Sequence, residues 1–261
     1  MTDSNLTPLP PAIIDIHNHV AKDDPGGDKL IALMDSLNIS HTVVLGNCKG
    51  VNQHAVQAIE KHPDRFIGGV CVDPRDGDSA IDLVKAHHAQ GWRIVKLFPN
   101  MGYFPDDEAL RPFFDMVAEL KMGVLSHCGW LDPRAGVSAA YYSNPGRFEK
   151  LVRTYTQTPF IFAHMGGIDG FLQAIMLTTR TPNAYVDCSP GQGAWVLTHA
   201  GQMVASIPPH KLMWGADSYC HQDWLNHNHA ALDKIGFGPH LAKIFHDNAM
   251  GLLRSLGAMR G

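Results

Sequence analysis

Short β-branched runs alternate with amphipathic stretches along this whole chain, and few folds accommodate eight such alternations. Ile13, Ile14 and Ile16 open the series, bounded upstream by Pro11 and downstream by polar and glycine-rich sequence, as expected for a buried strand of a parallel sheet. Lys29–Leu37 follows at helical spacing. The pattern continues with strands at His41–Leu45, Phe66–Val72, Ile94–Phe98, Gly123–Ser126, Phe160–Ala163, Ala184–Asp187 and Leu212–Trp214. Helices are predicted between them at Asn52–Glu60, Ala80–Ala89, Glu108–Leu120 and Pro145–Tyr155. Eight strand candidates in 261 residues, most followed by a helix and spaced at about one unit per 30 residues, predict an α/β fold, a single-domain (β/α)8 TIM barrel over residues 12–261 behind a tail at 1–11. An open doubly wound sheet would show a glycine-rich phosphate turn after its first strand, where this chain has His17-Asn18-His19.

Composition narrows the partners. The formal net charge is -4 and there is no run of Lys and Arg, so nothing provides the electrostatic footprint expected of a nucleic-acid or membrane binder. A small-molecule substrate is expected, with a homodimer the commonest assembly if the protein is not monomeric. Five cysteines without a CxxC spacing suggest reduced thiols and a cytoplasmic location. The segment MTDSNLTPLPP has no basic start followed by an apolar core.

In a strand, residues two apart share a face, so His17 and His19 should point together. They stand at the carboxyl end of the first strand, the end that faces the active site in barrels of this kind. His127 after GVLS, His164 after FIFA and Asp217 after LMWGA occupy equivalent strand ends. Imidazoles and a carboxylate meeting above a narrow barrel suit a divalent ion, Zn2+ first, with Mn2+, Fe2+, Co2+ or Ni2+ as alternatives. His227-Asn228-His229 repeats the spacing but follows no apolar strand. In the helix that follows, residues two apart diverge by about 200°, so these two histidines are expected to point apart towards solvent and not to share a ligand. His221 trails Asp217 and could reach the mouth.

Lys96 in IVKLFPN admits three readings: a cation for an anionic substrate group, a carboxylated bridge to a second metal, or a lysine snorkelling from a strand end. Trp130, Arg134 and Tyr141, with Phe98, Tyr103, Phe104 and Tyr142, offer an aromatic wall and a cation for a substrate carboxylate. Neither GxSxG nor HExxH occurs. Cys128, beside His127, should point to the other face.

HNH after the first strand, SHCG after the fifth, AHMGG after the sixth, GADS after the eighth and the closing DNAMGLL together resemble the amidohydrolase superfamily. The nearest branch is similar to the amidohydrolase-2 group, which includes aminocarboxymuconate semialdehyde decarboxylase and pyrone dicarboxylate lactonase. The resemblance implies metal ligands at His17, His19, His127 and Asp217, with Asp217 and His164 acting on water or substrate. It implies one ion, or two if Lys96 is carboxylated. The expected activity is metal-dependent hydrolysis of a small, carboxylate-bearing lactone, amide or related ring. Non-oxidative decarboxylation of an aromatic or unsaturated acid is the alternative, disfavoured by a chain shorter than the decarboxylases of that branch.

Overall fold

The computed structural model describes residues 6–47, 51–130, 139–219 and 221–259. Its eight strands are β1 (Ile13–His19), β2 (Ile39–Leu45), β3 (Phe66–Cys71), β4 (Ile94–Leu97), β5 (Gly123–Ser126), β6 (Phe160–Phe162), β7 (Ala184–Asp187) and β8 (Leu212–Met213). All neighbours pair in parallel, in chain order from β1 to β8. Backbone bonds from Ile16 N–H to the Trp214 carbonyl (3.1 Å) and from Asp217 N–H to the His17 carbonyl (2.6 Å) join the last strand region to the first. The sequence expectation of a (β/α)8 TIM barrel is met.

The helices are α1 (Asp28–Ser36), α2 (Gln53–Lys61), α3 (Asp78–Ala89), α4 (Arg111–Glu119), α5 (Glu149–Thr154), α6 (Phe171–Arg180), α7 (Gln192–His199), α8 (Gly201–Val204), α9 (His221–Leu232) and α10 (Asn248–Ser255). The stretches read as helices at 108–120 and 145–155 each begin with a 3-10 turn before α4 and α5. In both cases a side chain one residue ahead, Asp107 or Asn144, accepts a backbone N–H of that turn. No described helix is long and apolar enough to cross a membrane.

Strand alternation sorts the core into two parts. Ile14, Ile16, Val43, Leu45, Ile67, Ile94, Leu125, Ile161, Ala163 and Met213 point into the barrel and pack with Ala249, Leu252, Leu253 and Leu256 of the α10 region. The alternate residues, such as Ile13, Val44, Val95, Val124, Phe162 and Val186, face the helices. A Cβ on Gly123, at the start of β5, would stand 3.1 Å from Leu256, so α10 plugs the amino-terminal end of the barrel. The apolar filling stops there and at mid-barrel. Lys96 on β4, His127 just after β5 and Asp187 at the end of β7 are the next inward positions, and they begin the polar end.

Candidate metal centre

The placement of His17 and His19 depends on an irregularity in β1. Asp15 pairs with Thr42 and Asn18 with Val44, so β1 takes three steps where β2 takes two. Ile14 and Ile16 point inward, and strict alternation would carry Asn18 inward and both histidines out. The extra residue reverses the parity. His17 then reaches Lys96 inside the barrel, while Asn18 turns back to Asp15, donating to its Oδ2 at 2.8 Å. Asp15 Oδ1 accepts the His17 N–H at 3.0 Å and also the Ala216 N–H at 3.0 Å, tying the bulge to the residue before Asp217.

Asp217 has φ 51° and His164 φ 57°, a left-handed conformation that costs a non-glycine residue about 1–2 kcal/mol. The strain at His164 is held by its N–H, which donates to Asp187 Oδ1 at 3.0 Å and Ser189 Oγ at 3.3 Å. Two glycines permit the close approach of these loops. A Cβ on Gly215 would lie 2.8 Å from His17 Cβ, and one on Gly167 (φ 77°) 2.6 Å from Gly129 Cα.

His17, His19 and Asp217 converge, each offering a ligand atom within 4.8 Å of the others. His17 Nδ1 donates to Asp187 Oδ2 at 2.9 Å and His19 Nδ1 to the Leu45 carbonyl at 3.2 Å. Both Nε2 atoms are thereby left with lone pairs, 3.2 and 3.3 Å from Asp217 Oδ1. This donor set fits a divalent ion, and the bonds behind the imidazoles match those that orient metal-ligating histidines. The side chains of His19 and Asp217 keep 25% and 27% of their exposure, so the centre is open to solvent, whereas that of His17 keeps 1%.

His127 stands beside this trio. Its Nδ1 lies 3.2 Å from His164 Nε2, its ring stacks on Phe98 with centroids 5.6 Å apart, and its buried Nε2 has no partner among the described residues. His164 Nε2 is 3.8 Å from Asp217 Oδ2. Lys96 is fully buried, with Nζ 2.9 Å from His17 Nε2 and 4.8 Å from the Phe98 ring centroid. The snorkelling reading of Lys96 is therefore wrong: inward alternation from Ile94 sends it to the site.

Protonation follows from this packing. Burial opposes the ionised form of Asp217, but His17, His164 and His19 outweigh it and hold its pKa well below the usual carboxylate range. Asp187 is also depressed, because His17 overcomes the cost of burial. Burial pushes His19 down to about 3 against the pull of Asp217. Burial likewise lowers His127, reinforced by His164, and lowers His164 against the pull of Asp217. His17 is raised, since Asp217 and Asp187 outweigh burial and Lys96. Lys96 is lowered by burial, opposed by Asp217 and Asp187.

Other expectations fare differently. His221 is not in the mouth: it is buried behind β1, with Nε2 3.0 Å from Asp15 Oδ2 and 2.8 Å from Asn18 Nδ2, against Trp214. The bulge that turns the two histidines inward puts Asn18, and hence His221, on the opposite side. Trp130 and Tyr141 are 61% and 57% exposed, and Tyr141 stacks on Tyr142. Arg134 lies outside the described residues, as do Cys48 and Cys220. Cys71, Cys128 and Cys188 are buried, and Cys128 joins the outer core. His227 and His229 diverge from α9, towards Thr198 and Thr7 respectively. Sequence reasoning missed Asp187 and Ser189. Asp187 carried the same signal as the others, a carboxylate closing an apolar strand.

A family model described as Amidohydrolase (Amidohydro_2) matches residues 14–254. The chain belongs to the amidohydrolase-2 family. Its members are metal-dependent enzymes, and the His17, His19 and Asp217 cluster is the candidate metal site of this one. A search of curated proteins by sequence finds no match. Among solved structures, an uncharacterized TIM-barrel protein of Bordetella bronchiseptica, Bb4693, aligns with a TM-score of 0.69 at 18% identity, covering 94% of this chain and 99% of that one. The 4-oxalomesaconate hydratase LigJ of Rhodopseudomonas palustris aligns with a TM-score of 0.65 at 16% identity, over 94% and 97%. ATU3138 of Agrobacterium tumefaciens gives 0.65 at 13% identity, over 94% and 97%. At such identities the likeness concerns the fold.

Proposed function

We propose that this protein is a metal-dependent hydrolase that adds water to a small, carboxylate-bearing lactone, amide or related ring. The observation that carries the reading is the division of the Asp217 carboxylate. Oδ1 faces the Nε2 atoms of His17 and His19, while Oδ2 turns towards His164. One oxygen belongs with the ligand set, and the other is left to take a proton.

His17, His19 and Asp217, with His127 beside them, would hold one divalent ion, Zn2+ by preference, and a second only if Lys96 is carboxylated. When bound, such an ion supplies Lewis acidity, bringing the pKa of a water down to about 7 and polarising a carbonyl. Asp217, kept ionised by its imidazole neighbours, accepts the proton of the attacking water and returns it to the leaving group. His164 orients that water or the developing oxyanion, a role whose loss costs on the order of 10² to 10³ in rate. Lys96 offers a cation to a substrate carboxylate, and the exposed rings of Trp130 and Tyr141 offer apolar surface.

The purified protein, incubated in 18O-water with a panel of lactones, cyclic amides and aromatic or unsaturated acids, tests this reading. One 18O in the product with no CO2 evolved is expected. Release of CO2 without net addition of water would instead establish the decarboxylase alternative, in which Asp217 or His164 delivers a proton to carbon.

A further inference from the structure

Asp187 and Ser189, at the end of β7, are absent from the ligand set and from the proton-transfer scheme, yet both are fully buried beneath it. Each oxygen of Asp187 serves a different histidine. Oδ2 accepts from His17 Nδ1 at 2.9 Å, while Oδ1 accepts the backbone N–H groups of His164 and Ser189 and the Ser189 hydroxyl. Ser189 Oγ also lies 2.9 Å from His164 Nδ1.

A hydroxyl has one proton to give, and an ionised carboxylate can only accept. The Ser189 proton therefore goes to Asp187, and Ser189 Oγ must accept from His164 Nδ1–H. A neutral His164 then has a bare Nε2, which accepts from His127 Nδ1–H across 3.2 Å. His127 Nε2 is left as a lone pair, and it is one of the buried atoms without a hydrogen-bond partner among the described residues. The chain of donors runs one way only, because reversing any link would set two donors or two acceptors against each other.

We propose that Ser189 is a positioning residue: by relaying the Asp187 carboxylate to His164 Nδ1, it fixes the tautomers of His164 and His127 so that both present Nε2 as an acceptor. Resting on the functional reading above, the relay decides between the two roles open to His164. Its Nε2 is an acceptor, which a water can engage only in exchange for the His127 Nδ1–H, and it does not donate to an oxyanion. For His127 the relay supplies what a ligand requires, a lone pair aimed away from its hydrogen-bond partner.

The test is 15N NMR of the histidine side chains in the metal-free, full-length protein at neutral pH, with His164 and His127 assigned by loss of signal in His164→Gln and His127→Gln. Wild type should show the proton on Nδ1 of both rings. Ser189→Ala should move the His164 proton to Nε2 or mix the tautomers, and Ser189→Thr, which retains the hydroxyl, should restore the wild-type pattern. A wild-type His164 protonated on Nε2, or a pattern unchanged in Ser189→Ala, would overturn the proposal. If Ser189→Ala does not fold, the wild-type pattern still decides. Because the readout needs no substrate, failure of the relay is distinguishable from failure of the hydrolase reading.

Discussion

The two ends of this barrel are made from the same eight strands and obey opposite rules. At the amino-terminal end the inward residues are apolar and close against Leu252, Leu253 and Leu256, as packing alone would arrange them. At the carboxyl end the inward positions are Lys96, His127, Asp187 and the bulged His17 and His19, and non-glycine residues at 164, 165 and 217 take left-handed conformations. One end lowers the free energy of the fold. The other spends some of it to hold polar groups that have no reason to be buried together unless they act on something.

The contrast breaks most visibly at Asp217. Asp217→Asn should reduce turnover of whichever substrate the panel identifies by more than the roughly 10² to 10⁴ of a general base alone, because the ion is lost with the carboxylate, while the melting temperature of the metal-free protein stays the same or rises. A melt lowered by many degrees would make Asp217 structural and erase the distinction between the ends. Leu253→Ala should do the reverse, costing about 2–5 kcal/mol in denaturant unfolding with metal content intact.

Smaller effects sharpen the picture. Asp187→Asn should weaken metal binding by about 10- to 100-fold in competition titrations with a chelator, the usual loss for a group that orients a ligand. Lys121, exposed after α4 with φ 53°, carries strain unconnected with the site. Lys121→Gly should stabilise the protein by about 1 kcal/mol without altering activity, measured by urea melts and assay in parallel. Lys211, just before β8, donates to the Pro182 carbonyl, lies over the Tyr185 ring at 4.3 Å, and is pushed by burial from 10.5 down to about 8. Between those values the unfolded chain keeps a proton that the folded one has released, so stability should rise with pH across that window. Lys211→Met should flatten the rise.

The amino-terminal end was legible in the sequence because burial on both faces of a parallel strand leaves a continuous apolar run, whatever the details of pairing. Gly123–Ser126 and Ala184–Asp187 are found at their expected bounds. The polar end was legible only as a set of residue types at strand ends. Which face His17 and His19 take depends on the register of β1 against β2, a long-range fact that alternation cannot supply. The same bulge explains the misplacement of His221. Ser189 left no trace in any pattern, since a single hydroxyl gains meaning only when a distant imidazole is brought to it. His127 was expected as a fourth ligand and stands next to the other three, with His164 as its hydrogen-bond partner.

Metal analysis of the purified protein tests most directly whether His17, His19 and Asp217 form one divalent-metal site. Wild type should carry one equivalent of ion, and His17→Ala, His19→Ala and Asp217→Asn should each lose it while remaining folded. Folded variants that all retain the ion, or a wild type that takes up none when supplied with Zn2+, Mn2+, Fe2+, Co2+ and Ni2+, would contradict the account.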